Sequence, residues 1–249
     1  MTIDASPSKP AVLPQILFED AEIVVLNKPA GLLVLPDRYD PSIPNLYGLL
    51  KNKYGQIYVV HRIDKETSGL IIFAKNETSH RILNEQFENR ETEKTYRAIC
   101  VGESLLDDGK VDLALAEDSG KKGRMRIDQA DGKNAVTNYK VMERFVGFSF
   151  IEAKPETGRT HQIRVHLKAI NLPILSDSVY GGGQGFFLSQ IKPGYRLKGE
   201  EKPLLNRTAL HASRLSVLHP GTHQPVTFET ELPKDMKIVL NYLRKFRRI

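Results

Sequence analysis

Two apolar runs separated by a charged bend set the pattern of this chain. Ile57-Tyr58-Val59-Val60 reads as a strand, passes into His61-Arg62-Ile63-Asp64-Lys65-Glu66, and gives way to a second strand at Leu70-Ile71-Ile72-Phe73-Ala74. Both runs are rich in β-branched and aromatic residues, which suit a pleated, buried surface. Thr67-Ser68-Gly69 between them is turn chemistry, with Gly69 free to take a positive φ. The bend holds Arg62 and Asp64 between two core strands, and polar side chains presented by a rigid scaffold are a common way to build a site. Read alone, the same residues equally make a capped surface turn.

The rest of the pattern alternates strands with a few helices. Residues 1–15, with Pro7, Pro10 and Pro14, read as an extended arm. Phe18-Glu19-Asp20-Ala21 predicts a turn, residues 22–28 a strand, and Pro29-Ala30-Gly31 a second turn. A short amphipathic helix is expected over 46–54. A second, over 79–89, has Ile82, Leu83 and Phe87 on one face and N-cap chemistry in Asn76-Glu77-Thr78-Ser79. Strands are expected at 95–101, 136–139, 145–155, 210–217 and 225–230, and a last helix at 235–246. Residues 111–131 are polar, glycine-rich and basic and read as a surface excursion, and 192–207 as exposed. Residues 172–185, with Asp177, Tyr180 and Gly181-Gly182-Gly183, suggest a loop whose backbone comes close to another segment.

Residues 160–167 alternate like a strand, but Ile163, Leu167 and Ile170 fit helical spacing. Thr160 as N-cap and Asn171 with Pro173 as stop signal predict a helix over 160–170. On it Gln162, Arg164 and His166 lie at different azimuths and cannot all serve one site. His161 and His166, five apart, do not share a helical face as a metal pair would, so no metal is expected.

Composition narrows the chemistry. At 249 residues and 40% hydrophobic, the chain can build a core without disulfides or metal. A single cysteine, Cys100, excludes an intrachain disulfide and fits a reducing, cytoplasmic compartment. No run is long and apolar enough for a membrane span. The net charge of +6 favours an anionic partner, with clusters at Lys121-Lys122-Gly123-Arg124-Met125-Arg126 and Arg244-Lys245-Phe246-Arg247-Arg248 suited to nucleic-acid phosphate. Glycine patterns that cradle nucleotide phosphates are missing, so nucleotide cofactors gain no support.

The central bend resembles the signature of the RluA-type pseudouridine synthases, His-Arg-Leu-Asp-x-x-Thr-Ser-Gly-Leu. Here it stands as His61-Arg62-Ile63-Asp64-Lys65-Glu66-Thr67-Ser68-Gly69-Leu70, with Ile63 the one departure. Asn27-Lys28-Pro29-Ala30-Gly31, Glu93-Lys94-Thr95-Tyr96-Arg97-Ala98 and residues 158–167 resemble the family's lysine-proline, tyrosine and arginine blocks. Asp177-Ser178-Val179-Tyr180-Gly181 and Leu210-His211-Ala212 match two more, in order. The resemblance implies an α+β pseudouridine synthase fold, a mixed, mainly antiparallel sheet around a central catalytic cleft, with residues 16–249 as the catalytic domain. The family's optional amino-terminal S4 module is not seen, residues 1–21 being too short to hold it.

By resemblance Asp64 is the catalytic aspartate, Arg164 keeps it ionised, and Tyr96 lies against the uracil and helps with the C5 proton. Arg62, Lys28, His61 and Thr67 are implied as RNA contacts, with residues 121–126 as further ones. The implied partner is ribosomal or transfer RNA, with no cofactor, and a monomer is expected. Two other classes fit the residues less well. A non-catalytic RNA-binding protein has no need of Asp64, Tyr96 and Arg164 together. A zinc-dependent base deaminase lacks its His-x-Glu and Pro-Cys-x-x-Cys pattern.

Overall fold

A computed structural model describes residues 13–196 and 199–249, so most of the expected amino-terminal arm lies outside the described residues. The chain opens with β1 (Gln15–Glu19) and β2 (Ile23–Lys28), an antiparallel hairpin. The expected turn at 18–21 falls later than predicted. Asp20 makes it, its carboxylate accepting the Glu22 and Ile23 N–H groups at 2.8 Å each, and this frees Phe18 and Glu19 to pair with β2. Helix α1 (Leu46–Tyr54) starts at Asn45, whose side chain accepts the Gly48 N–H, and ends at Gly55 with φ 74°. The expected 57–60 strand shrinks to β3 (Tyr58–Val59), which pairs with β4 (Ser68–Ala74). Helix α2 (Glu77–Glu88) is capped by Asn76.

Next come β5 (Glu93–Val101), β6 (Asp108–Asp112), β7 (Leu115–Glu117) and β8 (Met125–Ile127). The region read as a surface excursion thus folds back as a ribbon, β7 pairing with β8. A long hairpin follows, β9 (Val136–Phe145) and β10 (Phe148–Pro155), then helix α3 (Gln162–Ala169). The chain finishes with β11 (Leu210–Leu218), β12 (Pro225–Glu229) and helix α4 (Lys234–Phe246).

The sheet runs β1-β2-β4-β11-β5-β10-β9-β6, with β3 and β12 branching from β4 and β11. Every pairing is antiparallel except β4 with β11, where Ser68 and Gly69 face His211 and Ala212. The expected α+β architecture with a mixed, mainly antiparallel sheet is therefore present. The apolar runs of β2 and β4 are continuous because both of their faces are covered. Val24, Leu26, Ile71 and Phe73 pack towards α1, while Ile23, Val25, Leu70 and Ile72 pack with Leu83 of α2. A larger core lies beneath β5, β9 and β10, with α3 and α4. Tyr96 borders two of these cores, so its position on β5 marks where the halves of the sheet meet.

The parallel junction demands close backbone contact. Gly69 sits at φ 112°, and a Cβ there would stand 2.2 Å from the Ala212 carbonyl oxygen. Gly182 is similar, its would-be Cβ 1.6 Å from the Ile174 oxygen, which explains the close approach expected for its glycine run. The segment 192–207 is only partly exposed as expected. Arg207 is buried and pairs with Asp235 at the start of α4 at 2.7 and 2.9 Å.

Gly69→Ala combines a disallowed φ with a backbone clash at the sheet centre. It should lower unfolding free energy by about 2–4 kcal/mol, measured by urea denaturation. An unchanged midpoint would show that the β4–β11 junction tolerates a Cβ at this position.

Candidate active site

The bend between β3 and β4 forms the floor of a cleft of about 560 Å³, bounded across the sheet by β5 and by the entry to α3. Asp64 is half-buried there, the Thr67 N–H closing a turn on its carbonyl at 3.1 Å. Arg164 reaches Asp64 from α3, Nη1 donating to Oδ2 at 3.2 Å. The rest of that guanidinium is occupied. Nε and Nη2 donate to Asp177 Oδ2 and Oδ1 at 2.7 and 2.9 Å, a two-point pairing that fixes the plane of the group. Asp177 is fully buried and also accepts the Val179 and Tyr180 N–H groups. Burial opposes the charge on Arg164, but Asp177 and then Asp64 outweigh it and raise the arginine pKa. The cation is permanent.

Tyr180 supports this pair from below, its ring 4.9 Å from the guanidinium. Its hydroxyl oxygen accepts the Met125 N–H at 2.8 Å and lies 2.9 Å from His161 Nδ1. The hydroxyl proton is thus free to go to Nδ1, which leaves Nε2 carrying the imidazole proton. Nε2 stands 3.9 Å from Asp64 Oδ2, near enough for its N–H to face the carboxylate but too far for a hydrogen bond. Burial lowers the His161 pKa against the pull of Asp64, so the ring is neutral near pH 7. His161 holds φ 55°, a left-handed conformation uncommon outside glycine. It occupies the N-cap position that the sequence assigned to Thr160, so α3 begins two residues later than predicted.

Helix α3 is anchored on its other side. Gln162 donates to the Val136 carbonyl and Thr137 Oγ1 at 2.8 and 3.0 Å and accepts from Thr157 Oγ1 at 2.7 Å. His166 donates through Nε2 to the Leu113 carbonyl, so Nδ1 is the acceptor for Thr137 Oγ1. Gln162 and His166, four residues apart, therefore share the face towards β9, where the sequence reading gave each its own azimuth, while Arg164 reaches Asp64.

Tyr96 lines the cleft from β5, half-buried, and burial with the nearby Asp64 charge raises its pKa, so it is a neutral phenol. Arg62 is exposed at the mouth, where Nη2 donates to Thr160 Oγ1 at 2.8 Å and joins the two sides. His61 accepts the Ile72 N–H through Nε2 at 3.2 Å and stacks on Phe87. Burial pulls its pKa to about 3. Thr67 is buried in the floor.

Lys28 departs from the expectation. It is fully buried, and Nζ donates to the Pro29, Leu32 and Lys65 carbonyls at 3.0, 2.7 and 3.0 Å. Burial, partly countered by Glu66 and Asp64, draws its pKa down to about 7. It fastens the bend and offers no surface to RNA. In the basic stretch at 121–126, Arg124 and Arg126 pair with Asp118 and Asp128, and none of the stretch lines the cleft.

His161, Asp177 and Tyr180 were given no role by sequence reasoning. Asp177 and Tyr180 lay in a recognised block, and the signal available was a lone acid in an otherwise apolar and glycine-rich loop.

Residues 22–169 match the model of the RNA pseudouridylate synthase family. The chain belongs to that family. It is 37% identical to ribosomal large subunit pseudouridine synthase D of Neisseria meningitidis serogroup B, over 98% of this chain and 66% of that protein. It is 36% identical to the dual-specificity RNA pseudouridine synthase RluA of Vibrio vulnificus, over 84% of this chain and 79% of that one. The chain thus spans just under two thirds of the length of the Neisseria relative. Among solved structures, human RNA pseudouridylate synthase domain containing 4 superposes with a TM-score of 0.69 at 27% identity, over 92% of each chain. The fold is that of a pseudouridylate synthase domain.

Asp177→Asn strands the buried Arg164 charge and should cost about 3–5 kcal/mol; a calorimetric melt that moves by less than a degree would contradict it. His211 is fully buried on β11, with Nδ1 2.9 Å from Ser68 Oγ, and burial, then the Arg207 charge, lowers its pKa from 6.5 to about 4. The unfolded chain takes up that proton first. Stability from this group is complete above pH 6.5 and falls as the pH drops towards 4, by about 1.4 kcal/mol per pH unit. His211→Leu should flatten that acid limb by one proton in denaturant titrations.

Proposed function

We propose that this chain isomerises uridine to pseudouridine in RNA, with Asp64 as the catalytic group. The observation that carries the reading is a carboxylate held by a buried, permanently charged arginine and facing a neutral aromatic ring across an open cleft. The reaction breaks the bond from N1 of uracil to C1′ of the ribose, turns the base, and joins C5 to C1′; C5 loses a proton and N1 gains one, so the product is an isomer of the substrate. Nothing is oxidised or reduced and no group leaves, so the protein need supply only a nucleophile or base and a place for the detached base. Asp64 has the charge for the first task. Tyr96, which keeps its proton, suits the second, its face worth roughly 1–3 kcal/mol of stacking and its hydroxyl a neutral hydrogen-bond partner for the turning ring.

Arg164 has a positioning role in this scheme. Its Nη1 holds Asp64 through Oδ2, and among the described residues no hydrogen bond engages Oδ1. A uridine reaches Asp64 only by leaving its stack, at a cost of a few kcal/mol. Arg62, exposed at the mouth, has the flat guanidinium to stack in the gap and contact phosphate. Large-subunit ribosomal RNA is the favoured substrate, since several relatives carry that substrate in their names, with transfer RNA the second. We place the working protein in the cytoplasm as a monomer. Among the described residues no helix is long and apolar enough to cross a membrane.

Asp64→Asn keeps the shape of the carboxylate and removes its charge. It should reduce pseudouridine formation by at least about a thousandfold while RNA binding survives. Carbodiimide primer extension on ribosomal and transfer RNA from cells lacking the gene reads this directly. A variant with normal turnover would remove Asp64 from the mechanism.

A further inference from the structure

The cleft extends beyond Asp64 and Tyr96 along α2, and that wall has no part in the scheme above. Lys94 and Tyr96 lie two residues apart on β5, so both side chains leave the same face of the strand, roughly 7 Å apart. Lys94 is half-buried, with its ammonium 5.6 Å from the centre of the Phe87 ring. That ring is itself stacked on His61, at 4.7 Å between centres. Burial lowers the Lys94 pKa, and among the described residues no carboxylate acts against it. A cation partly withdrawn from water, without an anion to answer it, is an unusual feature for a merely structural wall.

Arg90 adds a second cation to the same wall. It follows the last turn of α2 at φ 63°, with the Glu91 N–H bonded back to the Gln86 carbonyl at 2.9 Å. Helices that end this way favour glycine at that position, because a Cβ is strained there. An arginine in the slot keeps the strain and gains a guanidinium on the cleft. Glu88 lines the wall too, but it forms no ion pair with Lys94 or Arg90 among the described residues.

We propose that Lys94 and Arg90 form a subsite for the RNA phosphate adjoining the target uridine. When the uracil lies against Tyr96, the neighbouring backbone must pass over one side of that residue, and Lys94 is one strand repeat away on it. The subsite rests on the proposed activity only in taking RNA as its ligand. It fixes the strand while Arg62 works at the mouth, where it is joined to Thr160.

The test uses the full chain, a labelled oligouridylate and a series of KCl concentrations. Lys94→Gln should weaken binding about tenfold and reduce the slope of log affinity against log salt by about 0.7, the value for one single-strand phosphate contact. Lys94→Arg should restore most of both. Arg90→Gly removes the strain with the charge, so it should melt at or above the wild-type temperature yet bind RNA more weakly. That pairing is not expected of a structural residue. On an RNA that the wild type modifies, the loss in Lys94→Gln should fall mainly on KM. An unchanged salt slope in both Lys94→Gln and Arg90→Gly would overturn the subsite, even with a fully active enzyme. A reduced slope in a protein that makes no pseudouridine would support the subsite and reject the proposed activity instead.

Discussion

The pairing of Arg164 with Asp177 is the interaction on which the site depends. Neither charge would be tolerable alone in its surroundings, since burying an unpaired ion costs several kcal/mol. Together they give a cation whose plane is fixed by two hydrogen bonds and whose remaining donor points at Asp64. Everything around the pair serves to hold its two parts still. Asp177 is gripped by the N–H groups of its own loop, and Arg164 by a helix whose far side is bonded to β9 through Gln162 and His166. Tyr180 touches both Arg164 and His161 and links them to the β7–β8 ribbon.

The other half of the site is a stretch without regular structure, and irregular backbone needs its hydrogen bonds found elsewhere. The bend carrying Asp64 finds them in buried cations. Lys28 donates to the Lys65 carbonyl, and Arg207 reaches the Glu66 carbonyl at the long limit of 3.5 Å while tied to Asp235. At its downstream end Gly69 lets β4 lie against β11. The acid and its arginine are thus delivered by separate halves of the sheet, which meet at β11 and β5.

Much of this was legible in the chain. Helix α1 was placed to the residue, and α2 and α4 to within two, because their caps and apolar spacing agree. The family signature brought Asp64, Tyr96 and Arg164 to notice, and the structure gathers all three around one cleft. What sequence could not tell was which charges are buried. Lys28, before Pro29, and Arg207, in a polar stretch, look like surface residues, yet folding turns them inwards onto carbonyl groups that have no sequence signal. Asp177 and His161 escaped for a related reason. Their significance lies in partners 13 and 19 residues away, Arg164 and Tyr180, reached through a left-handed residue and a glycine-rich loop that periodicity does not describe. The ribbon at 115–127 was hidden by its polarity, since each of its strands is only three residues long.

The fastening of Lys65 separates what can drift from what cannot. Its carbonyl oxygen receives both the Lys28 ammonium and the Gly31 N–H, at 3.0 and 2.8 Å. Every amino acid presents that same oxygen, whatever its side chain. The position directly after the acid is therefore free to change its outward chemistry without moving Asp64. One residue thus fastens the bend through its backbone and leaves its side chain outside that task.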